Sequence, residues 1–105
     1  MRTVHFLRPL DPDNVARIEF SREHGRVLEF VVQLECNIEG AWRPIMRYDT
    51  AHGFAHCDRL HPYKPTVKTE LPIQNYKQAL TFAIQDFISN WKSYRRRYEL
   101  WLKTK

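Results

Sequence analysis

The feature that most constrains the fold is a regular alternation of apolar and polar side chains between residues 26 and 39. One side of this segment carries the apolar set Leu28, Phe30, Val32, Leu34, Cys36 and Ile38. The other side carries the polar set Glu29, Gln33, Glu35, Asn37 and Glu39. A period of two over this length predicts a long β-strand with one buried face and one face in water, which is typical of antiparallel sheets.

Shorter stretches with β-strand character flank this segment. Strands are predicted at 16–21, 41–49, 54–60 and 66–71, with a further N-terminal strand at 4–7. Tight turns are predicted at Glu23-His24-Gly25 and at Glu39-Gly40. Pro44 lacks a backbone N–H, so we expect an edge or a bulge in its strand.

From residue 75 onwards the apolar period changes from two to between three and four. The apolar stripe consists of Leu80, Ile84, Phe87, Trp91, Tyr94, Tyr98 and Trp101. This spacing predicts an amphipathic helix from about Tyr76 to Lys103, with Asn75 and Gln78 as capping residues. The elements together predict an α+β fold in one domain, residues 1–105. In it, a meander-type antiparallel sheet of about five strands (1–74) packs against one long C-terminal helix (75–105).

The charge of the chain is concentrated in its last third. Residues 1–74 carry ten basic and ten acidic side chains, whereas residues 75–105 carry seven basic and two acidic ones, which leaves the whole net charge of +5 there. This asymmetry predicts an anionic partner, and the alternative is a basic helix face that is merely solvated. The predicted nucleic-acid-binding residues are Lys92, Arg95, Arg96 and Lys103. Lys92, Arg96 and Lys103 share one side of the helix.

Other features bear on location and assembly. No apolar run approaches the ~20 residues that a bilayer-spanning helix needs, and the N-terminus does not resemble a signal peptide, so we expect no membrane partner and a cytoplasmic location. Cys36 and Cys57 are then expected to be free thiols. The second half of the helix carries more apolar surface than a small sheet can cover, which predicts a homodimer.

The segment RYDTAHGFAHCD, from Arg47 to Asp58, holds two histidines, two aspartates, an arginine and a tyrosine. If the flanking strands form a hairpin, Arg47, Asp49, His52, His56 and Asp58 converge at its end. Such a set supports general acid–base cleavage of RNA without a metal, with His52 and His56 as base and acid and Asp49 orienting one ring. Arg47 would stabilise the phosphate charge, and Tyr48 would donate a hydrogen bond or stack on a base.

Three alternatives accompany this interpretation. His52, His56, Asp58 and His61 carry metal-ligand side chains, but their spacing matches no strong metal signature, so no metal or other cofactor is predicted. Cys57 could act as a nucleophile, but alternation with its neighbours points it into the core. The polar residues could also serve only the turn backbone and cross-strand pairing.

Asp86 and Asn90 lie four residues apart on the predicted helix. They either reach back towards the hairpin to orient a histidine or face solvent.

Two segments resemble a known family. RYDTAHGFAHCD and FAIQDFISNWKSYRRRYE resemble small uncharacterised prokaryotic proteins that share a RYDTAHGFAH block and a C-terminal NWxxYRxxY helix. This resemblance covers residues 41–60 and 79–99 and implies a domain of unknown function. More distantly, YDTAHG with its following histidine is similar to the YDNAHGxxH block of TumE-like toxins of toxin–antitoxin pairs, with Thr50 in place of an asparagine. That similarity implies a small α+β toxin, an antitoxin partner, and site residues at Tyr48, Asp49, His52, Gly53 and His56.

The sequence therefore leads to two hypotheses. The first is an RNA-directed, endoribonuclease-like toxin that works without a metal at the hairpin and holds the RNA backbone with the basic helix. The alternative is a non-catalytic adaptor or regulatory module that binds nucleic acid or a protein through that helix.

Overall fold

The computed structural model describes all residues from 1 to 105 and contains six strands and one helix. In chain order these are β1 (Arg2–Asp11), β2 (Asn14–Glu23), β3 (Arg26–Ile38), β4 (Ala41–Asp49), β5 (His56–Arg59), β6 (Val67–Glu70) and α1 (Tyr76–Lys103). Each strand pairs antiparallel with the next, so the strand order in the sheet is β1-β2-β3-β4-β5-β6. The predicted α+β meander is confirmed, with six strands rather than about five.

The additional strand is β1, of which the sequence indicated only residues 4–7. The strand continues to Asp11 through Pro9, because β1 is an edge strand and a proline there need not donate to an outer neighbour. Asp11 Oδ1 then closes the turn to β2 by accepting hydrogen bonds from Asp13 N and Asn14 Nδ2, both at 2.7 Å.

Two hairpins have two-residue turns with left-handed backbone at both positions. His24 and Gly25 have φ of 52° and 74°, and Glu39 and Gly40 have φ of 55° and 81°. Turns of this kind match the twist of the strands they join, and glycine adopts such a φ without steric cost. Both predicted turns are confirmed.

Strand β4 contains the bulge that Pro44 predicted. Leu34 of β3 pairs with Met46, whereas its neighbour Glu35 pairs with Pro44, so Ile45 is an extra residue in β4. The bulge accommodates a proline within an interior strand of the sheet.

The helix packs across β2, β3 and β4 on one side of the sheet, and Asn75 Oδ1 caps it by accepting from Gln78 N at 3.0 Å. We call this side the helix-covered face and the opposite side the open face. The core on the helix-covered face includes Ala16, Ile18, Val32, Leu34, Met46, Tyr48, Ala79, Ala83 and Phe87. The helix does not combine the length and the apolar character needed to cross a membrane.

Both cysteines are free thiols, as predicted. Their strand positions place them on the helix-covered face, where burial raises the pKa of Cys36 to about 12 and that of Cys57 to about 11. Thiols with raised pKa values are poor nucleophiles near neutrality.

Candidate functional site

The hairpin of β4 and β5 brings the predicted catalytic residues Arg47, Asp49 and His56 together with Asp58 on the open face. Asp49 pairs directly with His56, and Arg47 pairs directly with Asp58. Partners in an antiparallel ladder point to the same face, and residues two apart in a strand do so as well. All four side chains therefore emerge on one side of the sheet.

At the centre of this group is the imidazole of His56. Its Nε2 lies 2.8 Å from Asp49 Oδ1 and 3.6 Å from Asp58 Oδ1. Lys68 adds a cation from β6, with Nζ at 3.0 Å from His56 Nε2 and 3.1 Å from Asp58 Oδ1. We call Asp49, His56, Asp58 and Lys68 the hairpin cluster.

Lys68 was not predicted as a site residue, although the strand that carries it was predicted. It is the direct ladder partner of Asp58, in the strand predicted at 66–71. Alternation alone could not identify this pairing, because the segment between β5 and β6 does not fix their register.

The hairpin cluster is buried even though it lies on the open face. His56 has no exposed surface, and Asp49 and Asp58 are only 7% and 5% exposed. The segment after β4 folds over the cluster: the ring of His52 stacks on that of His56 at 5.6 Å, and Phe54 lies against it at 5.7 Å. His52 itself is exposed. Stacked imidazoles do not aim their ring nitrogens at each other, so this arrangement offers no direct proton transfer between the two histidines.

The same segment uses its polar groups to hold the turn. Asp49 Oδ1 accepts from Ala51 N at 3.0 Å, and Thr50 Oγ1 accepts from Phe30 N at 3.1 Å. Gly53, with φ of 83°, donates its N–H to Thr50 O. Asp49 therefore has a backbone role in addition to its contact with His56.

Arg47 belongs to a polar network on the open face that includes Gln33 and Asp58. Its Nε donates to Gln33 Oε1 at 2.9 Å, and its Nη1 lies 4.0 Å from Asp58 Oδ2. Gln33 in turn donates to Glu35, which also accepts from Arg17 at 2.8 Å. The hydrogen bond from Arg17 lowers the pKa of Glu35.

The structure does not bring Tyr48 to the hairpin cluster. Consecutive residues of a strand point to opposite faces, so Tyr48 lies on the helix-covered face. Its hydroxyl donates to Asp86 Oδ2 at 2.6 Å, and Asp86 also accepts from Tyr94 and Asn90, each at 2.7 Å. Burial, followed by the hydrogen bond to Asp86, raises the pKa of Tyr48. Asp86 does reach the hairpin, but the suggestion that it orients a histidine is wrong.

Of the four predicted nucleic-acid-binding residues, three are exposed and one is structural. Lys92, Arg96 and Lys103 lie on the side of the helix that faces away from the buried positions. We call these three the helix stripe. Arg95 instead fastens the helix to the sheet: it donates to Asn14 Oδ1 at 2.9 Å and to Asn37 O at 3.0 Å, and it pairs with Glu99.

A second basic group on the helix was not predicted. The guanidinium of Arg97 lies over the rings of Tyr94 and Trp101, at 5.4 and 5.1 Å, and Trp101 stacks on His61 at 4.4 Å. Burial, followed by the charge of nearby Arg59, lowers the pKa of Arg97. We call His61, Arg97 and Trp101 the aromatic platform. His61 therefore lies apart from the hairpin cluster.

The second half of the helix is mostly covered by the protein itself. Trp91, Tyr94, Trp101 and Leu102 are half-buried and Tyr98 is buried, whereas Leu100 is 56% exposed. The homodimer stays a prediction.

The two predicted sites lie on opposite sides of the sheet, and their charges differ. On the open face from β2 to β6, seven carboxylates face four cations. The carboxylates are Glu19, Glu23, Glu29, Glu35, Asp49, Asp58 and Glu70, and the cations are Arg17, Arg26, Arg47 and Lys68. A concavity of about 300 Å³ beside Asp49 is also lined by Glu19 and Glu29. The open face is thus acidic, while the helix side is basic.

Comparison with known proteins identifies one family. Residues 1–104 match the model of a domain of unknown function (DUF7718). No curated protein and no solved structure matches the chain.

Proposed function

Since the chain belongs to the DUF7718 family, a domain of unknown function that is matched over residues 1–104, we propose its function from its own side chains: it binds RNA through the basic helix side. The observation that carries this proposal is a set of exposed cations without carboxylate partners. No residue of the helix stripe forms an ion pair, whereas Arg95 beside it is paired. Unpaired, solvent-exposed cations are available to phosphate groups.

The aromatic platform supports RNA rather than another polyanion. Single-stranded nucleic acid is commonly bound by cations that track the backbone together with aromatic rings on which bases stack. The helix stripe and the aromatic platform are neighbours on the surface of the C-terminal half of the helix. Leu100 lies between the helix stripe and Arg97, so one RNA strand could contact both groups. Lys92 Nζ also lies 5.7 Å from the ring of Trp91, which adds a second cation beside an aromatic ring.

The test is binding of a labelled single-stranded RNA as a function of salt concentration. Replacing Lys92, Arg96 and Lys103 by glutamine should weaken binding and reduce the slope of log affinity against log salt by about 2, since each phosphate contact contributes roughly 0.7 for single strands. A matched control replaces Arg2, Arg22 and Arg26, which are equally exposed but lie on the sheet. Equal losses in both triple variants would mean that net charge alone is responsible, and the proposed surface would be wrong.

A second candidate is metal-independent cleavage of RNA at the hairpin, in the manner of a toxin paired with an antitoxin. The contact of 2.8 Å between Asp49 and His56 favours it, because a carboxylate in that position orients an imidazole for acid–base work. RNA bound to the helix stripe would lie on the opposite side of the sheet from His56. The strand that is cleaved would therefore have to bind on the acidic open face, near Arg47 and Lys68.

Cleavage is tested with labelled RNA in the presence of EDTA. The second candidate requires cleavage that is lost in both His52→Ala and His56→Ala, together with growth inhibition on expression that the same variants relieve. Cleavage that persists unchanged in both variants would identify a contaminating nuclease, and binding without cleavage would leave RNA binding as the function.

A further inference from the structure

We propose that Asp49, His56 and Asp58 form a binding site for a divalent transition-metal cation of the Mn²⁺ or Zn²⁺ class. In the metal-free protein the ammonium group of Lys68 takes the place of that cation. This inference is independent of RNA binding by the helix side, because it concerns the opposite face of the sheet.

The backbone fixes the three ligands in advance. Asp49 and His56 are paired residues of adjacent strands, and Asp58 follows His56 by two residues on the same face. Their ligand atoms, one from each residue, all lie within 4.8 Å of one another. Metal–ligand bonds of about 2.0–2.2 Å bring donor atoms to separations of roughly 3–4.4 Å, so only a small inward movement is needed.

Asp58 points independently to a missing ligand. Its Oδ1 is buried and accepts no hydrogen bond, and its side chain is only 7% exposed. Lys68 Nζ lies 3.1 Å away but is not aligned to donate a hydrogen bond, so it neutralises the charge without filling the lone pair. A buried carboxylate oxygen without a donor is unfavourable, and a cation bound to that oxygen removes the deficit.

His56 Nε2 is subject to two incompatible demands. Asp49 Oδ1, at 2.8 Å, requires Nε2 to carry a hydrogen, whereas the ammonium of Lys68, at 3.0 Å, requires Nε2 to offer a lone pair. One ring nitrogen cannot do both. A cation in the place of the ammonium resolves the conflict, since Nε2 and both carboxylates then all act as electron-pair donors.

The second ring nitrogen of His56 is already placed for such a site. Nδ1 lies 3.4 Å from the carbonyl oxygen of Phe54, which can accept its hydrogen. Metal-ligating histidines characteristically donate their other N–H to a carboxylate or a backbone carbonyl. Asp49 is similarly oriented by the N–H of Ala51.

The ligand set and its surroundings indicate the kind of cation. One imidazole with two carboxylates suits Mn²⁺ or Zn²⁺, whereas Mg²⁺ and Ca²⁺ prefer oxygen ligands alone. The concavity beside Asp49, with its carboxylates Glu19 and Glu29, favours the approach of a cation. Lys68 can vacate the site because its side chain is 43% exposed and can extend into solvent.

The test measures Mn²⁺ binding by the loss of the free-ion signal in electron paramagnetic resonance, with Zn²⁺ as competitor. Wild type should bind one Mn²⁺ that Zn²⁺ displaces. Asp58→Asn should lose roughly tenfold or more in affinity, and Lys68→Met should gain affinity because a competing charge is removed. Lys77→Met, an exposed lysine on the helix, is the matched control and should bind as wild type does.

If Asp58→Asn does not fold, the gain of Mn²⁺ affinity expected in Lys68→Met still tests the site. Absence of Mn²⁺ and Zn²⁺ binding at millimolar concentration in both wild type and Lys68→Met would overturn the site. Equal affinity for Mg²⁺ would overturn the assignment to a transition metal. Because the cleavage candidate is assayed in EDTA, its failure and the failure of this metal site are separate results.

Discussion

The carboxylate of Asp86 should hold the helix on the sheet, and Asp86→Ala tests this. Asp86 accepts from the hydroxyls of Tyr48 and Tyr94 at 2.6 and 2.7 Å, whereas its bond from Asn90 is exposed. A hydrogen bond to a charged group contributes about 1.5–3 kcal/mol to stability. The higher helix propensity of alanine relative to aspartate offsets about 0.7 kcal/mol or less of the loss. Loss of the two phenolic bonds should therefore lower the free energy of unfolding by about 3 kcal/mol, out of roughly 5–15 kcal/mol for a typical domain.

Urea unfolding followed by circular dichroism measures this loss. With a slope of about 2 kcal/mol per molar urea, the midpoint should fall by roughly 1.5 M. Glu99→Ala is the matched control, because Glu99 is also a helix carboxylate but pairs only with Arg95 at 3.4 Å and is 40% exposed. Its midpoint should change by less than about 0.5 M, since exposed ion pairs contribute little. Equal losses in the two variants would refute the argument, as would strict additivity between Asp86→Ala and Tyr48→Phe.

Two further predictions concern alkaline pH and the core. Burial raises the pKa of Cys57 from 9.0 to about 11 and also raises the pKa values of Tyr48 and Tyr94. These groups therefore ionise at lower pH in the unfolded chain than in the folded protein, and their ionisation favours unfolding. The urea midpoint should be constant below about pH 9 and fall between pH 9 and 11. A midpoint that rises in this range would contradict the raised pKa values. Phe87→Ala should cost about 3–5 kcal/mol, because Phe87 is fully buried, while Phe82→Ala, at a ring that is 44% exposed, should cost markedly less in the same assay.

The fold was largely predictable because its elements have strong local periods. Alternation defined β3, the change of period located the helix, and Gly25, Gly40 and Pro44 marked two turns and a bulge. The length of strand β1 was underestimated because Pro9 lies within it, and because the pairing of an edge strand depends on its neighbour rather than on its own sequence.

The candidate site was only partly predictable. Asp49, His56 and Asp58 share a face by simple alternation, and the same rule excludes Tyr48, whose nearness in sequence was misleading. Lys68 joins the site through the register of β6 on β5, and Arg97 takes its place through packing of the helix against β4; no local sequence pattern encodes either. Likewise, only the tertiary structure shows that Arg95 is bound to Asn14 and Asn37.

The strictly sequential order of the strands has a kinetic consequence. Every ladder joins segments that are adjacent along the chain, so the sheet can grow by successive zippering of hairpins without closing long loops. The contacts that span great sequence separation belong to the helix, such as the bond between Arg95 and Asn14 across 81 residues. We therefore expect docking of the helix to be a late event, and until it occurs the apolar side of the sheet would be open to self-association.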